Sequence, residues 1–226
     1  SFQQVPLSGN SFVASFLMAL VNNIKPEKLV EELNDSRIKG EASIFQKELK
    51  SYNASCEKAL SVITKMAKSE DGKTDVRVRI NDNEVHEKLK EIKNIEIFSN
   101  WLKNRLIMEL LIASSVRPEK REDIFNNVFK SMRKFNEKVL GRDRTDNITN
   151  DFTNAIFNTS YELNTEHMLI LGHSFNHPVT IFDIDKTSSD IIEGETKLTT
   201  ANLFIIRNSN LLGNPKYDAL IATNPI

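Results

Sequence analysis

Apolar residues recur at helical spacing along most of the chain up to Phe175 and give way to short β-branched runs beyond it. The first such stretch is Phe12 to Val21, in which Phe12, Phe16, Ala19 and Leu20 can share one helix face. Pro6 and Gly9 precede it as loop residues, and Asn10 or Ser11 has the chemistry of an N-cap. Ser11 is therefore expected at the amino end of a largely buried helix. A second helix is predicted over Lys25 to Lys39, with Pro26 near its start and Gly40 as its stop. A long amphipathic helix is predicted over Glu41 to Lys68, where Ile44, Leu49, Tyr52, Leu60, Ile63 and Met66 interrupt charged residues. Asp71-Gly72 reads as a turn, and Val76, Val78 and Ile80 alternate with Arg77 and Arg79 as in a short exposed strand. Helical periodicity returns over Glu84 to Ser114 and Arg121 to Val139, and Gly141 to Asn150 reads as a polar linker.

The last third changes character. Tyr161 to Phe175 predicts a helix, followed by strands at Pro178 to Asp183, Asn202 to Arg207 and Tyr217 to Ala222. Helices first and strands afterwards predict an α+β fold with a small sheet.

The chain has 226 residues, enough for one sizeable domain, with 39% hydrophobic and 27% charged residues. A net charge of -1 argues against nucleic acid or an anionic membrane as partner. No apolar run reaches membrane-spanning length. Ser1, rather than Met, suggests an excised or processed domain. Cys56 is the single cysteine, so no internal disulfide and no zinc-type cluster is expected, and a reducing compartment is the simplest setting. Asn, Lys and Ile are abundant and Gly is sparse, the flavour of an AT-rich genome.

Three segments carry a resemblance, in order along the chain. Ser8-Gly9-Asn10-Ser11-Phe12 is similar to the Asp-Gly-Asn-Cys loop of the OTU (ovarian-tumour) family of papain-like cysteine proteases, whose cysteine starts a helix. Thr165 to Asp183 resembles that family's helix-then-strand unit, with Gly172 where alanine is usual and the strand opening at Pro178-Val179. Leu203 to Arg207, followed by Lys216-Tyr217-Asp218-Ala219-Leu220, resembles its closing strand and its His-Tyr-Asp/Asn motif. Asn100 to Ser114, with Arg105, resembles a further family helix. The resemblance implies an OTU-like papain-type fold: one domain over 1–226 with a small mixed sheet packed between helices. A helical lobe would be inserted over approximately residues 25–98, as in bacterial effector OTU proteins.

The resemblance also implies roles. Ser11 takes the nucleophile position, Lys216 the histidine position and Asp218 that of the orienting acid, with Ser8, Gly9 and Asn10 in the cysteine-loop and oxyanion region. A helix start suits a thiol because it lowers the thiol's pKa. A serine hydroxyl needs a base far more, and Lys216, as an ammonium, has no lone pair to offer. A Ser–Lys dyad would need Lys216 to be strongly desolvated. A Cys→Ser exchange in an active enzyme accounts for Ser11 but for neither Lys216 nor Ser8; loss of catalysis accounts for all three.

The expectation is therefore a catalytically inactive OTU-like module binding ubiquitin or polyubiquitin. The implied setting is a secreted bacterial effector acting in host cytoplasm, with no cofactor and no metal. Two alternatives stay open. One is an active deubiquitinase trapped as a Ser11 variant. The other is an adaptor binding a host protein through the helical lobe, from which Glu41 to Asp71 could be excised with the sheet domain still folded. His173 and His177 read as helix-end and loop residues, and Cys56 as a packed thiol. Trp101, Phe125, Phe129 and Phe135 read as core. His86 and His167 stand outside any constellation.

Overall fold

A computed structural model describes residues 2–3, 11–24, 26–34, 44–67, 91–140, 148–158, 161–184, 189–193, 203–208 and 216–220. The turn at Asp71-Gly72, the strand expected at Val76 to Ile80 and His86 lie outside these residues. In chain order the elements are β1 (Phe2–Gln3), α1 (Ser11–Asn23), α2 (Pro26–Leu33), α3 (Gln46–Ala67), α4 (Ile92–Ser114) and a 3-10 turn (Pro118–Lys120). Then come α5 (Asp123–Leu140), α6 (Ile148–Phe157), α7 (Thr165–Ser174), β2 (Val179–Ile184), β3 (Ser189–Glu193), β4 (Leu203–Asn208) and β5 (Lys216–Leu220). The fold is α+β, mostly helical, with a small mixed sheet.

The sheet runs β1-β5-β4-β2-β3. β2 and β4 are parallel, with Ile181 opposite Ile205, and the other pairings are antiparallel. Val179, Ile181, Leu203, Ile205, Tyr217 and Ala219 join the hydrophobic core shared with the helices. α1 lies on β4 and β5, and α7 on β2. The whole run Phe12 to Val21 is buried, beyond the single face its periodicity predicts, and neither end of α1 carries a charge.

Helix α4 is central: α3, α6, α7 and α1 all pack on it. This explains why it is apolar on several sides rather than along one stripe. An aromatic chain ties three helices together: Phe98 and Phe175 both meet Trp101 edge-on, at centroid distances of 6.0 and 5.4 Å, and Phe16 of α1 approaches Phe175 at 6.0 Å. Phe129 of α5 stacks on Phe152 of α6 at 5.0 Å. Phe125 and Phe129 are buried, as their spacing predicts.

Several boundaries differ from the sequence reading. The second helix ends at Leu33 and the long one starts at Gln46. α6 begins inside the stretch read as a polar linker, with Phe152, Ala155 and Ile156 buried on one face. α7 starts at Thr165 rather than Tyr161, because the Asn164 side chain caps it by accepting from the Glu166 and His167 N–H groups. It ends in a Schellman motif. The Asn176 N–H donates to the His173 carbonyl, the His177 N–H to the Gly172 carbonyl, and Asn176 has φ 56°. Gly172 is required by this fold-back: a Cβ there would lie 2.6 Å from the His177 carbonyl oxygen and collide with the Val179 side chain.

The helical lobe does not stand apart. Tyr52, Cys56, Ala59 and Ile63 of α3 belong to the same core as α1 and the sheet. Arg105, fully buried on α4, fixes that union. Its Nε donates to Ser174 Oγ at 2.6 Å, its Nη2 to the Ser174 carbonyl at 3.0 Å and its Nη1 to the Tyr52 hydroxyl at 2.9 Å. Glu32 of α2 and Glu109 one turn along α4 flank the guanidinium at 3.4 and 3.9 Å, and the Phe175 ring lies 4.5 Å from it. Excising Glu41 to Asp71 would take away the Tyr52 hydroxyl and open the core, contrary to the expectation that the sheet domain would survive it.

Candidate functional site

The two ends of the chain meet at one point. β1 pairs with Leu220 and Ala219 of β5. Two residues back along β5, the Tyr217 N–H donates instead to Ser11 Oγ, at 3.2 Å. Beside this bond the Phe12 ring meets the Tyr217 ring edge-on, with centroids 5.5 Å apart and planes at 86°. Ser11 is thus the first residue of a 13-residue helix whose first turn holds no acid, seated against the strand that carries Lys216 and Asp218. The free N–H groups of such a helix start favour negative charge.

Lys216 and Asp218, two apart on one strand, share a face. Their side chains are 17% and 11% exposed, and Lys216 Nζ lies 3.6 Å from Asp218 Oδ1. That is an ion pair without hydrogen-bond contact. Asp218 Oδ1 is buried and meets no hydrogen-bond donor among the described residues. A buried carboxylate oxygen without a donor costs free energy, so this is a strained feature of the site.

Tyr217 lies on the opposite face, in register with Arg207 of β4, which is in register with Asp183 of β2. Arg207 Nη1 donates to Asp183 Oδ2 at 3.4 Å. Burial pushes the Tyr217 phenol above its ordinary pKa, and Arg207 partly offsets this. These cross-strand partners were missed in the sequence; only their register, which needs the sheet, assembles them.

Chemically, the arrangement offers a hydroxyl at a helix start, a paired ammonium and a carboxylate, and among the described residues no imidazole bonds to Ser11. His173 and His177 line a groove of about 440 Å³ at the start of β2, together with Glu122, Ile124, Leu169 and Pro178. His167 is bonded elsewhere, to Asn164 and Tyr161. Among the described residues, no three His, Cys, Asp or Glu side chains could hold a metal ion, and no helix is long and apolar enough to cross a membrane. Cys56 is buried in α3. Ser8, Gly9 and Asn10 lie outside the described residues.

No known protein-family profile matches the chain, and no curated protein matches it.

Proposed function

We propose that this chain is an OTU-like ubiquitin-recognition module, catalytically inactive as it stands, belonging to a bacterial effector that acts on host ubiquitin signalling. One observation carries the reading: Ser11 and Tyr217, 206 positions apart and each inside a segment that resembles an OTU catalytic motif, touch at 3.2 Å. The buried Asp218 oxygen, which meets no hydrogen-bond donor among the described residues, adds support. An orienting acid would face an imidazole N–H at position 216, and here lysine stands there at 3.6 Å. A thiol protease needs an imidazole both to take the thiol proton and to return it to the leaving amine. An ammonium held by a carboxylate does neither readily.

The second reading, an active deubiquitinase trapped at Ser11, rests on the same meeting of segments. Ubiquitin titration together with Ser11→Cys separates the two. A thiol at this helix start beside Lys216 would ionise readily, so capture by a ubiquitin-tail electrophile reports only a thiolate. Hydrolysis of a ubiquitin isopeptide bond also needs the proton donor. Saturable ubiquitin binding, with no chain hydrolysis by Ser11→Cys, is the expected result. Hydrolysis restored by that single change would establish the trapped enzyme instead. No binding to mono- or polyubiquitin would remove ubiquitin from the proposal.

A further inference from the structure

The edge of the sheet beside Ser11 is closed by its shortest described strand. β1 consists of Phe2 and Gln3 and pairs antiparallel with Leu220 and Ala219 of β5. On its other side β5 is held by β4, from Lys216 to Leu220. Backbone N–H groups two residues apart on a strand point to the same side. The Tyr217 N–H points outward, to Ser11 Oγ at 3.2 Å. The Ala219 N–H and carbonyl therefore point outward as well, toward Gln3. The outer edge of β5 is thus one row of main-chain groups that runs from Leu220 past Ala219 to Tyr217 and ends at the Ser11 hydroxyl.

This row is held less firmly than the rest of the sheet. β2 pairs with β4 from Val179 to Ile184, and β4 with β5 from Phe204 to Asn208, whereas β1 meets β5 at Phe2 and Gln3. An edge pairing of that length opens locally at far lower cost than a strand paired on both sides. Extended peptides add to such an edge through main-chain bonds. A peptide tail presented to Ser11 along β5 would need the groups that β1 and Ser11 Oγ now engage.

We propose that β1 is an exchangeable strap over the candidate site: the extended tail of ubiquitin replaces β1 along Ala219 and replaces Ser11 Oγ on the Tyr217 N–H. The inference rests on the ubiquitin reading above and adds a regulation to it, because the closed strap and the tail compete for the same main-chain groups. Apparent affinity falls by the fraction of time the edge is open, so an edge open about one-tenth of the time weakens Kd about tenfold.

The test is a ubiquitin titration of the full chain and of Gln3→Pro, which lacks the N–H that Ala219 accepts and cannot continue the ladder. Gln3→Pro is expected to bind ubiquitin about tenfold more tightly. If wild type binds and Gln3→Pro gains less than about twofold, the strap is overturned and the ubiquitin reading stands. If neither form binds, ubiquitin itself is removed and the strap's role with it. Amide exchange on the wild-type chain decides independently, should Gln3→Pro fail to fold. The Ala219 N–H should exchange faster than that of Ile205, which lies on a strand paired on both sides, and should slow when ubiquitin is added. An Ala219 amide as slow as that of Ile205 in the free chain, or one that ubiquitin leaves unchanged on binding, overturns the proposal.

Discussion

The buried guanidinium of Arg105 gives the sharpest test of how this fold is held together. Burial opposes its charge, but Tyr52, Glu32 and Glu109 outweigh that, and its pKa is held above the ordinary arginine value. Arg105→Met keeps most of the side-chain length and deletes the cation. Glu109 would keep its bond from Ser174 Oγ at 2.8 Å but lose its counter-charge, and the Ser174 carbonyl and the Tyr52 hydroxyl would lose donors. Removing one partner of a buried ionic network costs about 3–5 kcal/mol. A domain of this kind holds about 5–15 kcal/mol in all, so the loss is a large fraction. Urea unfolding followed by Trp101 fluorescence measures it, one turn before Arg105 on the same helix. Arg105→Lys should recover part of the loss, because one ammonium cannot match a fork that reaches Ser174 and Tyr52 together. A double-mutant cycle with Tyr52→Phe should show a coupling of about 0.5–3 kcal/mol. A cost below about 1 kcal/mol for Arg105→Met would refute the reasoning, since the network would then be no better than its apolar replacement.

Two further outcomes are expected. Gly172→Ala should destabilise the chain by about 1–3 kcal/mol, the usual cost of overpacking, because the new Cβ would meet the His177 carbonyl oxygen at 2.6 Å; a thermal melt unchanged from wild type would contradict the fold-back geometry. Excision of residues 41–71 should abolish the cooperative unfolding transition, because it removes the buried Tyr52, Cys56, Ala59 and Ile63 from the shared core, and burial of a large apolar side chain contributes about 1.5–3 kcal/mol; a truncated chain that still melts cooperatively by circular dichroism would show the lobe to be separable after all.

What the sequence made legible follows from where the information resides. α1, α4 and α5 advertise themselves by apolar residues at helical spacing, and β2 and β4 by short β-branched runs, because burying apolar residues leaves a one-dimensional pattern. β1, with two residues, is too short for one, and β3 sets only Ile191-Ile192 among polar residues. α6 hid behind the Asn, Thr and Asp residues around it, although Phe152, Ala155 and Ile156 carry helical spacing. The start of α7 was placed early because Tyr161 and Leu163 extend the apolar pattern past the cap; Asn164 and His167, three apart, were the signal for the true boundary. His167 then turned out to have a constellation that sequence reading denied it.

Buried polar groups are harder to foresee, because their partners come from distant positions. Nothing in the amphipathic pattern of α3 says that the Tyr52 hydroxyl meets a cation 53 residues away, and this single contact argues against a detachable lobe. The candidate site divides along the same line. On the resemblance proposed above, Ser11 and Lys216 take the positions of a thiol and an imidazole. The geometry adds that the Ser11 hydroxyl is engaged by the Tyr217 N–H, and that Asp218 keeps a buried oxygen no described donor reaches.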